Sequence, residues 1–556
     1  PAQRGTISDR NGIDLAVSEP AQDISATPYL IKDPLGAAQR LAPLLGVSQD
    51  DVLHKLSEHS GFVYLAHRVP DSVAAAVNRL ALPGINLVPE NQRVEPGGQL
   101  AQPVVGSVDY DGNGASGLEY QYQAQLAGQA GTKSLLESPG GVALPGGTSR
   151  DVAAKPGIGL ELTLDESVQY VAEQALASEV LASHAASGTA IVMNVRTGDV
   201  LAMADLVATP AGASPAPAAS SGTSGPVLVS AADTLPAGVA EAPSNSAVTQ
   251  VYEPGSVFKL VTFSAALQGG IVNPDTSVKV PAELPMGTYT FHDAESHGDE
   301  TLTPTQILAQ SSNIGTIEIA QQLGESGLLG QITNLGFGRP TGLAFPGESP
   351  GLVPGASQWT GTSIGSTPIG QDDAVTAQQI LDAYNAVANG GVFVSPRLVR
   401  GTVDPSGGVS PAPASRSHRV IAPGTAAELV PMLESVVASG TGTSAAIDGY
   451  TVAGKTGTAQ IPAPDHLGYE PGAYVGSFCG FAPAQNPVLS AIVVLDHPTP
   501  IYGGAVAAPV FSTIMAYALH HYGIPTTSTP TTASSTGAIG GQGSVSVPAG
   551  ATTEGP

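Results

Sequence analysis

Apolar residues recur along this 556-residue chain in two rhythms, one of period two and one near 3.6. The opening shows the first. Arg4-Gly5-Thr6-Ile7-Ser8 and Ile13-Asp14-Leu15-Ala16-Val17 flank Asp9-Arg10-Asn11-Gly12, and Asn-Gly between two such runs predicts a hairpin with a tight primed turn. Leu and Ala at helical spacing predict helices over about 36–59 and 70–82. Residues 93–131 are glycine-rich and read as loops and short elements. Leu160 to Leu164 reads as a strand, and Asp165 is the expected N-cap of an amphipathic helix from Glu166 to Leu181. Gly188 to Asn194 and Asp199 to Met203 flank Thr197-Gly198. Their continuous apolar runs predict a hairpin buried on both faces. Helices are expected near 256–269, 304–323, 326–335 and 375–389. Strands follow at 450–454, 456–460, 474–481 and 487–496, then a last helix over 506–521.

A helical block between early and late strands of one sheet is an α+β arrangement. Residues 206–244 are Ala, Ser, Pro and Gly with almost no charge, and are expected to form a flexible insertion. Residues 525–556 are similar and predict a disordered C-terminal tail. The expected division is an N-terminal domain over 1–155 and a second over 156–524. The length is ample for two domains with substantial cores.

Composition narrows the function classes. Lys plus Arg number 20 against 46 Asp plus Glu, so the formal net charge is −26. Such a surface repels phosphate backbones, which argues against nucleic-acid binding. Cys479 is the single cysteine, lies in an apolar run, and is expected to be a small buried hydrophobe without a nearby His to activate it. The eleven histidines are scattered without a zinc spacing, so neither a metal nor a cofactor is expected. The chain opens on Pro1, and no apolar run of about 18 residues is apparent. A signal or anchor is therefore expected to precede Pro1.

Three short strings carry the chemistry. In Glu253-Pro254-Gly255-Ser256-Val257-Phe258-Lys259, a helix is expected to begin near Ser256, where free backbone N–H groups point outward. Positions i and i+3 share a face, so Ser256 and Lys259 can meet as nucleophile and base. A lysine accepts a proton only when neutral, which requires burial or a second cation nearby. In isolation this tetrapeptide is more simply a surface Ser and Lys on an ordinary helix. In Ser311-Ser312-Asn313, the Ser311 hydroxyl could relay a proton, and the Asn313 amide offers donors and an acceptor to a peptide group. Alone it reads as a polar turn. Lys455-Thr456-Gly457-Thr458 reads as a strand in which Gly457 leaves room for a ligand, and Lys455, Thr456 and Thr458 could grip a carboxylate. Alone it is an edge strand with a solvated Lys. The ordered occurrence of all three favours the functional reading.

With these strings the chain resembles a class B penicillin-binding protein over about residues 1–524. Arg4-Gly5 with Asp9-Arg10-Asn11-Gly12, and Gly117-Leu118-Glu119, resemble boxes of that class's N-terminal pedestal, which simple carboxypeptidases and β-lactamases lack. Leu162-Thr163-Leu164-Asp165 and Gly440-Thr441-Gly442-Thr443 resemble its transpeptidase domain. The resemblance implies a serine transpeptidase/β-lactamase-like domain, a central antiparallel sheet with helices on both sides, preceded by an extended pedestal used for dimerisation or partner binding. It implies a peptidoglycan D,D-transpeptidase. Ser256 is acylated by a stem peptide ending in D-Ala-D-Ala, Lys259 takes the serine proton and Ser311 passes it to the leaving amine. Asn313, Lys455, Thr456, Gly457 and Thr458 then bind substrate, and the Ser256 and Thr458 N–H groups form the oxyanion hole. Implied partners are stem peptides, β-lactams, a membrane glycosyltransferase and division proteins. The implied location is the extracytoplasmic face of the bacterial membrane, behind an N-terminal anchor. Ser311 to Thr316 is similar to the septal branch, whereas the elongation branch usually has aspartate at position 313. Two features depart from the family: the long insertion, and Asp372 after Gly370-Gln371, where glycine is usual.

Three other functions are weighed. A serine β-lactamase of class A would need a deacylating glutamate with an asparagine three residues on. Glu348 lies in a suitable region, but Gly351 stands at that offset. A D,D-carboxypeptidase would pass the acyl group to water, and a scaffold component of the division machinery would not need Ser256.

Overall fold

The computed structural model describes residues 1–134, 150–210, 235–287, 289–463 and 468–527. Its centre is a six-stranded sheet in the order Val239–Glu241, Val200–Ala208, Ser187–Asn194, Leu489–Asp496, Tyr469–Ala482, Ala453–Pro462, every neighbouring pair antiparallel. Alternation along the strands feeds two cores. Ala190, Val192, Ala202 and Ala204 face the helices Glu166–Ala182 and Gly503–His521, while Ile191, Met193 and Met203 face the helical block that follows residue 255. Helices thus cover both faces of an antiparallel sheet, as expected.

A second sheet, seven-stranded, ties the two halves of the chain together. Strand Gly159–Leu162 runs parallel to Ile7–Ser8 and antiparallel to Val399–Val403. The two expected domains, divided near 155, therefore meet in a shared sheet. The opening hairpin forms with Ile7 opposite Ala16. Arg4 donates to the Glu119 carboxylate at 2.5 Å and to its backbone carbonyl at 2.7 Å, and Arg93 pairs with the same carboxylate at 2.7 Å. Asp9 accepts from Glu166 N–H at 3.1 Å, and Asn11 donates to Asp165 at 3.3 Å. The first N-terminal box thus ties in two directions, through Arg4 to Glu119 of the second box and through Asp9 and Asn11 to the second domain.

Several expectations change in detail. The helix expected over 36–59 is two, Pro34–Leu45 and Gln49–Leu56, parted where Gly46 takes a left-handed φ of 66° and Ser48 caps the second. Strands 450–454 and 456–460 are one strand, Ala453–Pro462. The helix Pro423–Ser439 was not expected, although Pro at its first turn and apolar residues at 426, 429, 432, 433 and 436 announce it. The insertion is shorter than 206–244, because the preceding strand runs to Ala208 and pairs with Val239–Glu241. The rest of that expectation, residues 211–234, and the expected tail from 528 lie outside the described residues. The last helix, Gly503–His521, is long and apolar enough to cross a membrane by length and composition alone. Its Val506, Val510, Phe511, Ile514 and Met515 pack into the core, so it is a core helix.

Candidate active site

The nucleophile turn is a 3-10 helix, Gly255–Phe258, that runs into the α-helix Lys259–Gln268. Lys259 N–H donates to Ser256 O, and in a 3-10 turn side chains at i and i+3 eclipse, so Ser256 and Lys259 stack on one side. Ser256 is half-buried while its neighbours Gly255 and Val257 are buried, so only the serine of this turn reaches the surface. Gly255 has φ 58°, which favours glycine. A Cβ there would lie 3.0 Å from Ala459 Cβ and 3.2 Å from Thr458 O. From the strand side, a Cβ on Gly457 would lie 3.1 Å from Pro254 O and 3.2 Å from Val257 Cγ1. Two glycines therefore let the strand Ala453–Pro462 and the nucleophile turn touch.

The second string joins two helices. Pro304–Gln310 starts with a capping box of Thr303 and Gln306 and ends at Ser311, whose φ of 63° and ψ of 33° are left-handed. That conformation costs a non-glycine residue roughly 1–2 kcal/mol. It turns the chain so that Ser312 caps the next helix, Asn313–Leu323, accepting from Gly315 N–H at 2.9 Å. The turn places Ser311 and Asn313 around Lys259. The Lys259 ammonium donates to Ser311 O at 2.6 Å, to Asn313 Oδ1 at 2.8 Å and to Ser311 Oγ at 3.3 Å. Lys259 is fully buried, and the loss of water pulls its pKa down to about 7, against the opposing pull of Asp293. A lysine at that value is half neutral near pH 7. The neutral amine has two N–H donors and a lone pair, so the longest contact, to Ser311 Oγ, can reverse and accept the hydroxyl proton.

Lys455 is also fully buried. Desolvation, then the nearby Lys259 charge, hold its pKa well below the ordinary lysine range. Its Nζ donates to Thr456 O and Thr456 Oγ1, both at 3.1 Å. Thr456 Oγ1 also lies 2.6 Å from Thr441 Oγ1. Thr458 Oγ1 accepts from Gly503 N–H at 3.3 Å, a contact that does not use its own O–H. The structure thus gathers Lys259, Ser311, Asn313 and the Ser256 turn about one strand, Lys455 to Thr458.

Comparison with known proteins agrees. The penicillin binding protein transpeptidase domain matches residues 188–516, and the penicillin-binding protein dimerisation domain matches residues 1–162. This chain belongs to the class B penicillin-binding proteins. It is 34% identical to penicillin-binding protein PbpB of Mycolicibacterium smegmatis, over 95% of this chain and 84% of the relative. It is 32% identical to peptidoglycan D,D-transpeptidase FtsI of Escherichia coli, over 92% of this chain and 82% of the relative. Among solved structures it resembles penicillin binding protein 3 of Mycobacterium tuberculosis complexed with aztreonam. The TM-score there is 0.71 at 30% identity, covering 95% of this chain and 97% of the other.

Sequence reading missed parts of this penicillin-binding protein's site. The contact of Thr441 with Thr456 spans 15 positions and is made only by the fold. Asp293 and His297 sit in no string at all. The departure at Asp372 has a backbone meaning, since its φ is 68°, the left-handed region that favours glycine. Its carboxylate instead accepts from Ser366 Oγ, and its N–H donates to Glu253 at 3.2 Å. Glu348 accepts from Thr341 N–H, Thr341 Oγ1 and Ala344 N–H, so its carboxylate is committed to a turn. Cys479 is buried, and desolvation raises its thiol well above its ordinary pKa, which leaves it an inert hydrophobe.

Proposed function

We propose that this chain crosslinks peptidoglycan stem peptides through an acyl-enzyme at Ser256. Neutral Lys259 takes the Ser256 proton as Oγ attacks the carbonyl of the penultimate D-Ala. The Oγ–C bond forms, the C–N bond to the terminal D-Ala breaks, and the proton passes through the Ser311 hydroxyl to the departing amine. The Ser256 and Thr458 N–H groups hold the oxyanion. Lys455, Thr456 and Thr458 bind the terminal carboxylate, Asn313 binds the peptide amide, and Gly457 lets the substrate backbone approach. An acceptor amine then attacks the ester, forming the new amide and returning a proton to Ser256. The observation that carries this reading is Lys259, fully buried, brought to about 7 and bonded to Ser311 and Asn313.

The names of the FtsI and PbpB relatives support a septal role, and Asn313 stands where the elongation branch usually has aspartate. By the same resemblance the chain works on the outer face of the membrane behind an N-terminal anchor. Its pedestal contacts a glycosyltransferase and division proteins. β-Lactams acylate the same serine. The test offers a D-Ala-D-Ala stem peptide with and without an acceptor amine. Crosslinked dimer should form with the acceptor, whereas a shortened monomer as sole product would make the enzyme a carboxypeptidase.

A further inference from the structure

A single carboxylate, Asp293, holds the turn that carries Ser312 and Asn313, from outside all three catalytic strings. Its Oδ1 accepts from Asn313 N–H at 2.5 Å and Ile314 N–H at 2.9 Å, and its Oδ2 accepts from Ser312 Oγ at 2.6 Å. The backbone before it also contributes, as His292 O accepts from Asn313 Nδ2 at 3.0 Å. Asn313 is therefore pinned at its backbone N–H by Asp293 and at its amide nitrogen by the neighbouring carbonyl. That fixes the amide so that Oδ1 faces Lys259 at 2.8 Å. The helix Asn313–Leu323 presents its N-terminal dipole to the same carboxylate, a favourable placement.

The charge on Asp293 is flanked on both sides. His297 Nε2 lies 3.1 Å from Oδ2, and its Nδ1 lies 2.7 Å from Gly298 O and 3.5 Å from Glu300 Oε1. From the nucleophile helix the buried Lys259 feels the Asp293 charge, which favours its ammonium, and the Lys259 charge in turn disfavours an ammonium at Lys455. We propose that Asp293 is a positioning residue for acyl transfer. It holds the turn that sets Ser311 and Asn313 around Lys259 and supplies negative charge to that site, with His297 against its Oδ2.

The two roles separate by sign. Asp293 favours the charged form of Lys259, so removing its charge makes Lys259 lose its proton more readily. The proposal rests on Lys259 as the base. The experiment measures the second-order rate constant for acylation by a fluorescent penicillin against pH, for wild type, Asp293→Asn and His297→Gln, with Tm recorded for each. Asp293→Asn keeps an acceptor for the two N–H groups. It should move the acid limb of the profile to lower pH by about half a unit or more, while the plateau falls severalfold. His297→Gln keeps a donor to Asp293 but removes the cation, and should move the limb to higher pH. A role in folding alone would lower Tm or the plateau and leave the acid limb of both variants in place, and that result overturns the proposal. If Asp293→Asn does not fold, the direction of the His297→Gln shift decides alone. A wild-type profile with no acid limb near pH 7 would instead overturn Lys259 as the base, which is a separate failure.

Discussion

Lys259 and Lys455 are both fully buried, and the charge of Lys259 disfavours a proton on Lys455. The coupling is reciprocal, as any free-energy coupling between two sites must be. In the proposed reading a substrate carboxylate binds at Lys455 and favours the ammonium there, and that ammonium, through the same coupling, favours loss of the proton from Lys259.

From this it follows that the carboxylate of a penicillin matters for chemistry as well as for binding. Masking it as a methyl ester removes a charge-assisted contact of about 1.5–3 kcal/mol. The acylation rate constant should fall by about tenfold to a hundredfold. Stopped-flow or gel-based acylation of the same enzyme with acid and ester forms measures it, and equal rates would exclude Lys455 as the carboxylate site.

The acid limb of acylation follows from Lys259. With its pKa brought to about 7 by burial, the neutral fraction is half at that pH and falls tenfold per unit below it. The second-order rate constant should therefore rise with pH up to about 7 and level off above. A flat profile from pH 5 to 8 would mean that another group takes the serine proton.

Gly457→Ala tests the contact between strand and nucleophile turn. Its Cβ would meet Ser477 Oγ at 2.3 Å, which can rotate away, and Pro254 O at 3.1 Å, which is backbone and must shift with the turn. Overpacking of this kind costs about 1–3 kcal/mol. Acylation should drop about tenfold or more while the protein stays folded by circular dichroism. Wild-type acylation would show that the turn does not depend on this strand.

Glu173 makes a stability prediction with a definite sign. It is buried in the helix Glu166–Ala182, where it accepts from Ala101 N–H of the pedestal at 2.8 Å and from Gln169 Nε2 at 2.8 Å. Burial pushes its pKa up to about 7, in a site shared with the buried Glu241 carboxyl, which burial and Glu173 hold well above its ordinary range. Between pH 4.5 and 7 the native state keeps a proton that the unfolded chain releases, so this group lowers stability as pH rises through that window. Glu173→Gln keeps the acceptor and removes the penalty. Its Tm should exceed wild type by about 2 °C or more at pH 8 and match it near pH 4.5. A deficit at pH 8 would contradict the assignment.

Legibility from sequence followed the range of the interactions. The opening hairpin, the Asp165 cap and five of the six strands of the central sheet rest on local patterning and stand near where the periodicity placed them, whereas Val239–Glu241 falls within the stretch read as an insertion. The break at Ser311 is different. A helix continuous over 304–323 satisfies the local pattern, and only the contacts of Lys259, Asn313 and Asp293 reward a left-handed serine between two caps. The three strings identified the residues around Ser256 because chemistry fixes their type and spacing. Asp293 and Thr441 act through distances of 15 to 20 positions in the chain, for which a sequence has no period. Helix Pro423–Ser439 carries a regular apolar stripe, but its internal Pro431 reads locally as a helix breaker.

The most direct measurement is the intact mass of the protein after exposure to penicillin, for wild type and Ser256→Ala. The wild type should gain the mass of one penicillin and keep it for many minutes, and the variant should gain nothing. An adduct on Ser256→Ala, or rapid return of the wild type to its unmodified mass, would contradict an acyl-enzyme at Ser256 built for transfer to an amine.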